Sequence, residues 1–407
     1  MQQPKFSVSE KIVVEAPESS QHMLALGHII SQCFNADLDH WPAYVQRLDK
    51  SNFRVIHQHK QVVGGLGLFP MGQWFGEQSV PMTGLAAVGI APDCRGQGAA
   101  EMLLSHTLQD LQVKGVPLAA LYASTSHLYR RVGFEQAGSF CGYSAPVQQV
   151  IVDKGTKPYT DRRALPLISM ELGDKALYSA LYQQQAPFNN GYLDRNQAVW
   201  QTILEDNSQP VYAYLLGSRK APEGYVIFTQ QATAGGGYDL KIRDRICLTE
   251  AAIHRFWTFV ADHRSLADRL FWYGPPIDPL LSVLEEQIYR IEHIERWLLR
   301  IVNVSQALAL RGYPAGVETE LHLDIEDPLF ADNTGRFILQ VDHRQGQVTR
   351  GGRGDLKLDI RGLAPLYSGF LSAGQLQQLG WASGKRDAIA IANTLFAGSA
   401  PWMSDHF

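Results

Sequence analysis

The chain has 407 residues, 45% of them hydrophobic and 19% charged, with 36 glycines and 20 prolines, an ordinary globular composition that excludes a disordered or collagen-like chain. Lysine and arginine number 36 against 40 aspartate and glutamate, a net charge of −4; with no Lys/Arg block, neither a nucleic-acid partner nor a polybasic membrane segment is expected. At roughly 150 residues per domain, this length predicts two to three domains.

Cys33, Cys94, Cys141 and Cys247 are far apart and never fall in a C-x-x-C arrangement. That disfavours a zinc site and a disulfide framework, and predicts no metal and a reducing, cytoplasmic location. Met1 to Ser20 contains no apolar run suited to a signal peptide, and no stretch reaches the ~18 apolar residues of a membrane helix.

From Lys11 to about Pro146 strands and helices alternate, which predicts an α/β or α+β unit. Ile12–Glu15 reads as a strand, 20–34 as a helix through Leu26, Ile29, Ile30 and Cys33, and 42–50 as a second helix. Phe53 to His57 and Val62 to Phe69 read as a hairpin, Leu85 to Ile90 as a buried strand, Ala99 to Lys114 as an amphipathic helix and Leu118 to Ala123 as another strand. Asp153, Gly155, Pro158 and Asp161 break this rhythm and place a boundary near Val150. Beyond it come helices over 174–185, 196–205 and 249–263, the last capped by Thr249, and strands over 211–216, 224–231 and 240–247. After Tyr289 a third segment is expected, with strands over 297–301, 318–325, 336–342 and 356–360 and helices over 304–311, 373–380 and 387–396. Arg353-Gly354-Asp355 spells an adhesion tripeptide, but its glycine-rich surroundings read as an exposed turn.

The segment that carries chemistry runs from Val88, Gly89 and Ile90 through Pro92 and Arg95, Gly96, Gln97 and Gly98 into Ala99, Ala100 and Glu101. A strand passing through a glycine loop into a helix binds anions, because the first helical N–H groups and the helix dipole face the ligand. A P-loop would need Gly-Lys-Ser/Thr, whereas Ala99 and Ala100 follow Gly98. A Rossmann fingerprint would need a third small residue where Glu101 stands, and an acidic residue closing the strand over 119–123, which has none.

What matches is Arg95-x-x-Gly98-x-Ala100 followed by Tyr129-x-x-x-Gly133-Phe134, which resembles the coenzyme A loop and the downstream tyrosine motif of GCN5-related N-acetyltransferases (GNAT). With Glu295 to Val304, Asp355 to Ile360 and Leu366 to Gly369, the whole chain resembles the Eis (enhanced intracellular survival) acetyltransferases. The resemblance implies an α+β fold of mixed sheets: a GNAT domain binding acetyl-CoA over 1–150, a degenerate GNAT-like domain over 151–292 and a sterol-carrier-protein-like domain over 293–407. It also implies a homo-oligomer, commonly a hexamer.

For acetyl transfer to an amine, Val88, Gly89 and Ile90 would pair with the pantetheine arm and polarise the thioester carbonyl. Arg95 and the N–H groups from Gly96 to Glu101 would hold the pyrophosphate, and Ser124 and Thr125 would flank the arm. Tyr129 is the general-acid candidate, since a phenol can protonate a departing thiolate, and the family uses the matching tyrosine so. Residues 84–90 contain no carboxylate or histidine. The family takes its chain-terminal carboxylate as the base, and this chain ends in Phe407. For a polycationic acceptor of aminoglycoside type, Asp37, Asp39, Trp41 and Asp405 are candidate pocket linings. A protein-lysine acetyltransferase and a non-catalytic acyl- or lipid-binding protein are the alternatives.

Overall fold

The computed structural model describes residues 12–151, 163–206 and 208–407; the expected break at Asp153, Gly155, Pro158 and Asp161 lies outside them. The described chain forms two compact units, one built from residues up to 137 together with 297–398 and residue 407, the other from 138–296 and 399–406.

In chain order come β1 (Val13–Glu15), α1 (Ser20–Phe34), α2 (Trp41–Leu48), β2 (Phe53–Gln58), β3 (Gln61–Phe75), β4 (Gln78–Ile90), α3 (Ala99–Val113), β5 (Leu118–Tyr122) and α4 (Ser126–Arg131). Then β6 (Glu135–Pro146) carries the chain from the first unit into the second. There follow β7 (Leu167–Met170), α5 (Lys175–Gln185), β8 (Leu193–Asp194), α6 (Gln197–Leu204), β9 (Val211–Ser218), β10 (Ala221–Ala232), β11 (Tyr238–Cys247), α7 (Glu250–Asp262) and β12 (Ala267–Gly274), and β13 (Arg290–Ile301) leads back. Last are α8 (Val304–Leu310), β14 (Thr319–Glu326), β15 (Gly335–Asp342), β16 (Gln345–Arg350), β17 (Leu356–Asp359), α9 (Ile360–Ser368), α10 (Ala373–Gln378), β18 (Ala382–Gly384) and α11 (Arg386–Leu395).

In the first unit the sheet order is β1-β2-β3-β4-β5-β13, antiparallel except for the parallel pair β4 and β5. In the second unit the order is β7-β9-β10-β11-β12-β6, antiparallel except for β11 and β12. Parallel neighbours require a crossover, here α3 and α7. Each sheet is closed by a strand that chain order would give to the other: Trp297–Ile301 of β13 pairs with β5, while Cys141–Pro146 of β6 pairs with β12. The first unit also holds the mixed sheet β16-β15-β14-β17-β18.

Local chemistry explains the elements around the first-unit sheet. The Ser19 hydroxyl accepts from the His22 N–H at 3.1 Å and starts α1, which ends at Asn35 in the left-handed region. Helix α1 buries Met23, Leu26, Ile29 and Ile30, and α3 buries Leu103, Leu104, Leu108 and Leu111 in one core with Leu66, Leu85, Leu121, Phe134 and Leu298.

The hairpin β3–β4 is longer than the sequence predicts, extending Val62–Phe69 to Phe75 and Leu85–Ile90 back to Gln78. Pro70 and Pro81 lie inside the two strands, where a proline keeps an extended φ and lacks only the N–H. The two-residue turn at Gly76 and Glu77 has both φ angles positive, 59° and 70°, the twist that a tight hairpin needs. Helix α9 is a second departure. The sequence predicts no helix here, but Asp359 caps one by accepting from Gly362 N–H, it runs on through Pro365, and Gly369 ends it at φ 81°. The polar strand β16 gives no hydrophobic alternation and is invisible to periodicity. Around Arg353-Gly354-Asp355, the Asp355 carboxylate accepts from Arg353 Nε at 2.7 Å and Lys385 Nζ at 2.6 Å, so the tripeptide is a tied turn. No helix among the described residues is long and apolar enough to cross a membrane.

Candidate active site

Strand β4 carries the first half of the site. Its pairing with β5 covers only Met82–Gly84 against Leu118–Ala120, so the two parallel strands part company after Gly84. On its other side β4 stays paired with β3, with Gly65 opposite Gly89 and Gly64 opposite Ile90. The register shift between Gly65 and Gly67, with Ala87 at φ 50°, bends the strand where the fork opens. The edge running through Val88, Gly89 and Ile90 is thus unpaired with β5, and an unpaired strand edge is the kind of surface to which an extended chain can add as a strand. Gly89 lets α1 pack close to the strand, since a Cβ there would lie 2.6 Å from Ile30 Cδ1 and the isoleucine would have to shift.

Beyond Ile90 a short turn over Pro92–Cys94 leads to Gly96 at φ 74° and Gly98 at φ 86°, both left-handed. A Cβ on Gly96 would meet nothing within 4 Å, so its face of the loop is open. Gly98 is the N-cap of α3 and no side chain caps the helix; the N–H groups of Ala99, Ala100 and Glu101 fall in its first turn, where helix geometry supplies no acceptor. An uncapped, glycine-lined helix start fits a diphosphate. Arg95 is exposed but turned back, its Nε donating to Ile90 O at 3.0 Å and its Nη2 lying 3.1 Å from Cys33 Sγ. Gln97 Nε2 donates to Asp93 O at 3.4 Å, and Glu101 lies 3.4 Å from Arg131.

Tyr129 sits in α4, 5% exposed, and its phenol donates no hydrogen bond to another described residue. Burial pushes its pKa up to about 12, so the ring is a protonated donor at neutral pH. The rest of the motif has structural reasons. Phe134 stacks edge-on against Tyr129 with centroids 6.0 Å apart, and its N–H donates to Tyr129 O at 3.1 Å. Gly133 stands at φ 89°, and a Cβ would lie 2.8 Å from Arg300 Nε. Arg300 is itself buried, paired with Asp327 at 2.8 Å. Ser124 and Thr125 are exposed between β5 and α4, with Thr125 in the N-cap position of α4.

The last residue lies at the fork. The Phe407 ring packs at 5.8 Å from both Phe69 and Tyr122, and a Cβ on Gly84 would meet its Cε2 at 2.4 Å. The glycine at the last β4–β5 pair thus leaves the space that the Phe407 ring fills. Gly84, Phe69 and Tyr122 escape sequence reasoning, because nothing in their neighbours identifies which distant residue they receive.

The four candidate substrate residues separate. Asp37 is exposed and accepts from the Asp39 N–H at 2.9 Å, turning the chain ahead of α2; Asp39 is exposed beside it. Trp41 is committed to packing: Nε1 donates to Met23 O at 2.9 Å, and the ring stacks on Tyr44 at 5.7 Å and meets Phe53 at 5.6 Å. Asp405 belongs to the second unit, where it is buried and accepts from Arg195, which also pairs with Asp244 at 2.6 Å. Burial pushes its carboxyl above the usual value against the pull of Arg195. A carboxylate held in that way is not open to an acceptor amine in this conformation.

Residues 20–137 match an acetyltransferase (GNAT) domain family, residues 191–301 a second acetyltransferase (GNAT) domain family, and residues 304–404 a sterol carrier protein domain family. The crystal structure of a GCN5-related N-acetyltransferase from Anabaena variabilis is 43% identical, with a TM-score of 0.93 over 98% of this chain and 100% of that one. One from Kribbella flavida is 26% identical, with a TM-score of 0.84 over 98% and 99%. N-acetyltransferase Eis of Mycobacterium tuberculosis is 26% identical over 324 residues, 74% of each chain.

Proposed function

The chain belongs to the GCN5-related N-acetyltransferases, of the Eis-related kind with tandem acetyltransferase domains and a sterol-carrier-like domain, and on that premise we propose a direct transfer mechanism with Tyr129 as acid and the Phe407 carboxylate as base. Acetyl-CoA is the acetyl donor and an amine the acceptor. In this reading the division of labour is 1–150 for the donor, 151–292 as a second domain without the loop, and 293–407 as the domain that ends at the site. The observation that carries it is the fork after Gly84, which has the glycine loop at one end and the Phe407 ring seated at the other.

The N–H groups from Gly96 to Glu101 bind the donor's diphosphate, with Arg95 swinging out from Ile90 O to add charge. Val88, Gly89 and Ile90 hold the pantetheine arm by backbone pairing, and one of their N–H groups stabilises negative charge growing on the thioester oxygen. Ser124 and Thr125 flank the arm. Tyr129 donates its proton to the leaving sulfur. A chain-terminal carboxylate has an ordinary pKa of about 3.5 and is a weak base for a free ammonium, but it can accept the proton as the attacking nitrogen becomes acidic.

The acceptor is a small polycationic amine of aminoglycoside type. Asp37 and Asp39 are the exposed carboxylates that support this choice; a protein lysine is the second reading. Assembly as a homo-oligomer, a hexamer by resemblance, and a cytoplasmic location complete the proposal, the latter supported by four free cysteines. The test is calorimetric titration with acetyl-CoA followed by thiol release across a panel of aminoglycosides, polyamines and lysine peptides. Release with polyamine-like acceptors is expected. Binding of acetyl-CoA with turnover only on lysine peptides would replace the acceptor, and no binding would remove the mechanism.

A further inference from the structure

Three side chains in the first unit, remote from one another in sequence, converge on one point. Glu15 and His57 sit diagonally on one face of the β1–β2 pair, where Val13 faces His57 and Glu15 faces Val55. His22 reaches the same point from the first turn of α1, which the Ser19 cap fixes. One ligand atom from each of the three lies within 4.8 Å of the other two.

Their hydrogen bonding does not account for the arrangement. His57 is 8% exposed, and its Nε2 has no hydrogen-bond partner; Nε2 lies 3.2 Å from Glu15 Oε1, but outside hydrogen-bond geometry. His22 Nδ1 is also buried and has no partner. The two rings meet edge-on with centroids 4.7 Å apart. Two buried ring nitrogens without partners cost free energy unless something satisfies them.

We propose that Glu15, His22 and His57 form a binding site for one divalent cation of the zinc class. Two imidazole nitrogens and one carboxylate oxygen are a donor set for Zn²⁺ or Co²⁺ rather than Mg²⁺ or Ca²⁺, with solvent completing the shell. Small movements of the three side chains, on the ångström scale, bring the donors to bonding distance. The cation clamps the start of α1 to the β1–β2 pair, a structural role apart from acetyl transfer. Sequence spacing does not disclose it, because a strand, a helix and a second strand supply one ligand each.

The test uses the full chain, stripped with a chelator and titrated with Zn²⁺ or Co²⁺ alone, with bound metal counted by mass spectrometry and thermal unfolding followed in parallel. One equivalent per chain and a raised Tm are expected for the wild type. His22→Ala and Glu15→Gln should each weaken binding by tenfold or more while keeping the far-ultraviolet spectrum, and His28→Ala, an exposed position on the same helix, should bind as wild type. Absence of stoichiometric binding in the wild type, or binding unchanged by His22→Ala and Glu15→Gln, overturns the site.

Discussion

Tyr129 is buried and protonated, with no described side chain taking its proton, which is the condition a general acid needs before substrate arrives. Tyr129→Phe keeps the ring against Phe134 and removes only the donor. Turnover should fall by about 10²–10⁴-fold while calorimetry shows acetyl-CoA affinity nearly unchanged; equal turnover would remove the role. The pH dependence has a definite sign. A phenol pushed up to about 12 remains protonated across the stable range, so loss of this acid cannot produce an alkaline fall in rate below that pH. Any such fall in the wild type should persist in Tyr129→Phe. Gly84 can be tested at the same scale. Its Cβ would lie 2.4 Å from the Phe407 ring, closer than any real contact, so Gly84→Ala should displace the terminus. The expected outcome is a large loss of turnover with acetyl-CoA binding retained, read by steady-state kinetics beside calorimetry.

At the level of elements, the sequence discloses the loop and the helices flanking it but not the fork. Arg95-x-x-Gly98-x-Ala100 is readable because a tight strand-to-helix turn imposes local demands, here two left-handed glycines and an uncapped helix start, the kind of helix end that suits an anion. Thr249 is likewise readable, since its hydroxyl accepts from Ala252 N–H within the same turn. The parting of β4 from β5 depends on pairing across 36 residues of chain, from Gly84 to Ala120, which no local pattern encodes. Strand β6 is missed for a similar reason, since its 12 residues are nearly all buried and show no alternation. The loop makes its own prediction. Gly98→Ala would place a Cβ at φ 86°, costing about 1–2 kcal/mol of strain, and should weaken acetyl-CoA binding by roughly tenfold, one decade per 1.4 kcal/mol. Wild-type affinity in that variant would show that the helix start does not hold the donor.

At the scale of the whole first unit, residues far apart in sequence are joined by a buried carboxylate. Glu135, 1% exposed, accepts from Arg130 Nη2 and Arg361 Nη2, both at 2.7 Å, and so ties the start of β6 to α9. Burial alone would raise its pKa, but the hydrogen bonds from Arg130, Arg361 and the Gln136 N–H prevail and lower it. A depressed carboxylate pKa contributes stability that is complete above the ordinary glutamate value of about 4.3 and is lost as pH falls through the lower folded value. Glu135→Gln should therefore cost about 3 kcal/mol at neutral pH, as breaking a buried pair does, and should show a shallower loss of stability below about pH 4.3. Denaturant unfolding at pH 7 and across the acid range reads both effects; identical acid limbs would mean that the carboxylate contributes nothing.

The terminus is the other whole-molecule feature. Residues 399–406 belong to the second unit, with Asp405 paired to Arg195 and the Met403 N–H donating to Ser139 O, whereas Phe407 belongs to the first. Adding even one residue after Phe407 turns its carboxylate into an amide and removes the proposed base, while the ring can keep its contacts with Phe69 and Tyr122. Extending the chain by a single glycine should then lower turnover by about 10²-fold or more with Tm and acetyl-CoA affinity close to wild type, and removal of Phe407 should do the same. Full activity with the extended chain would show that the proton leaves by another route.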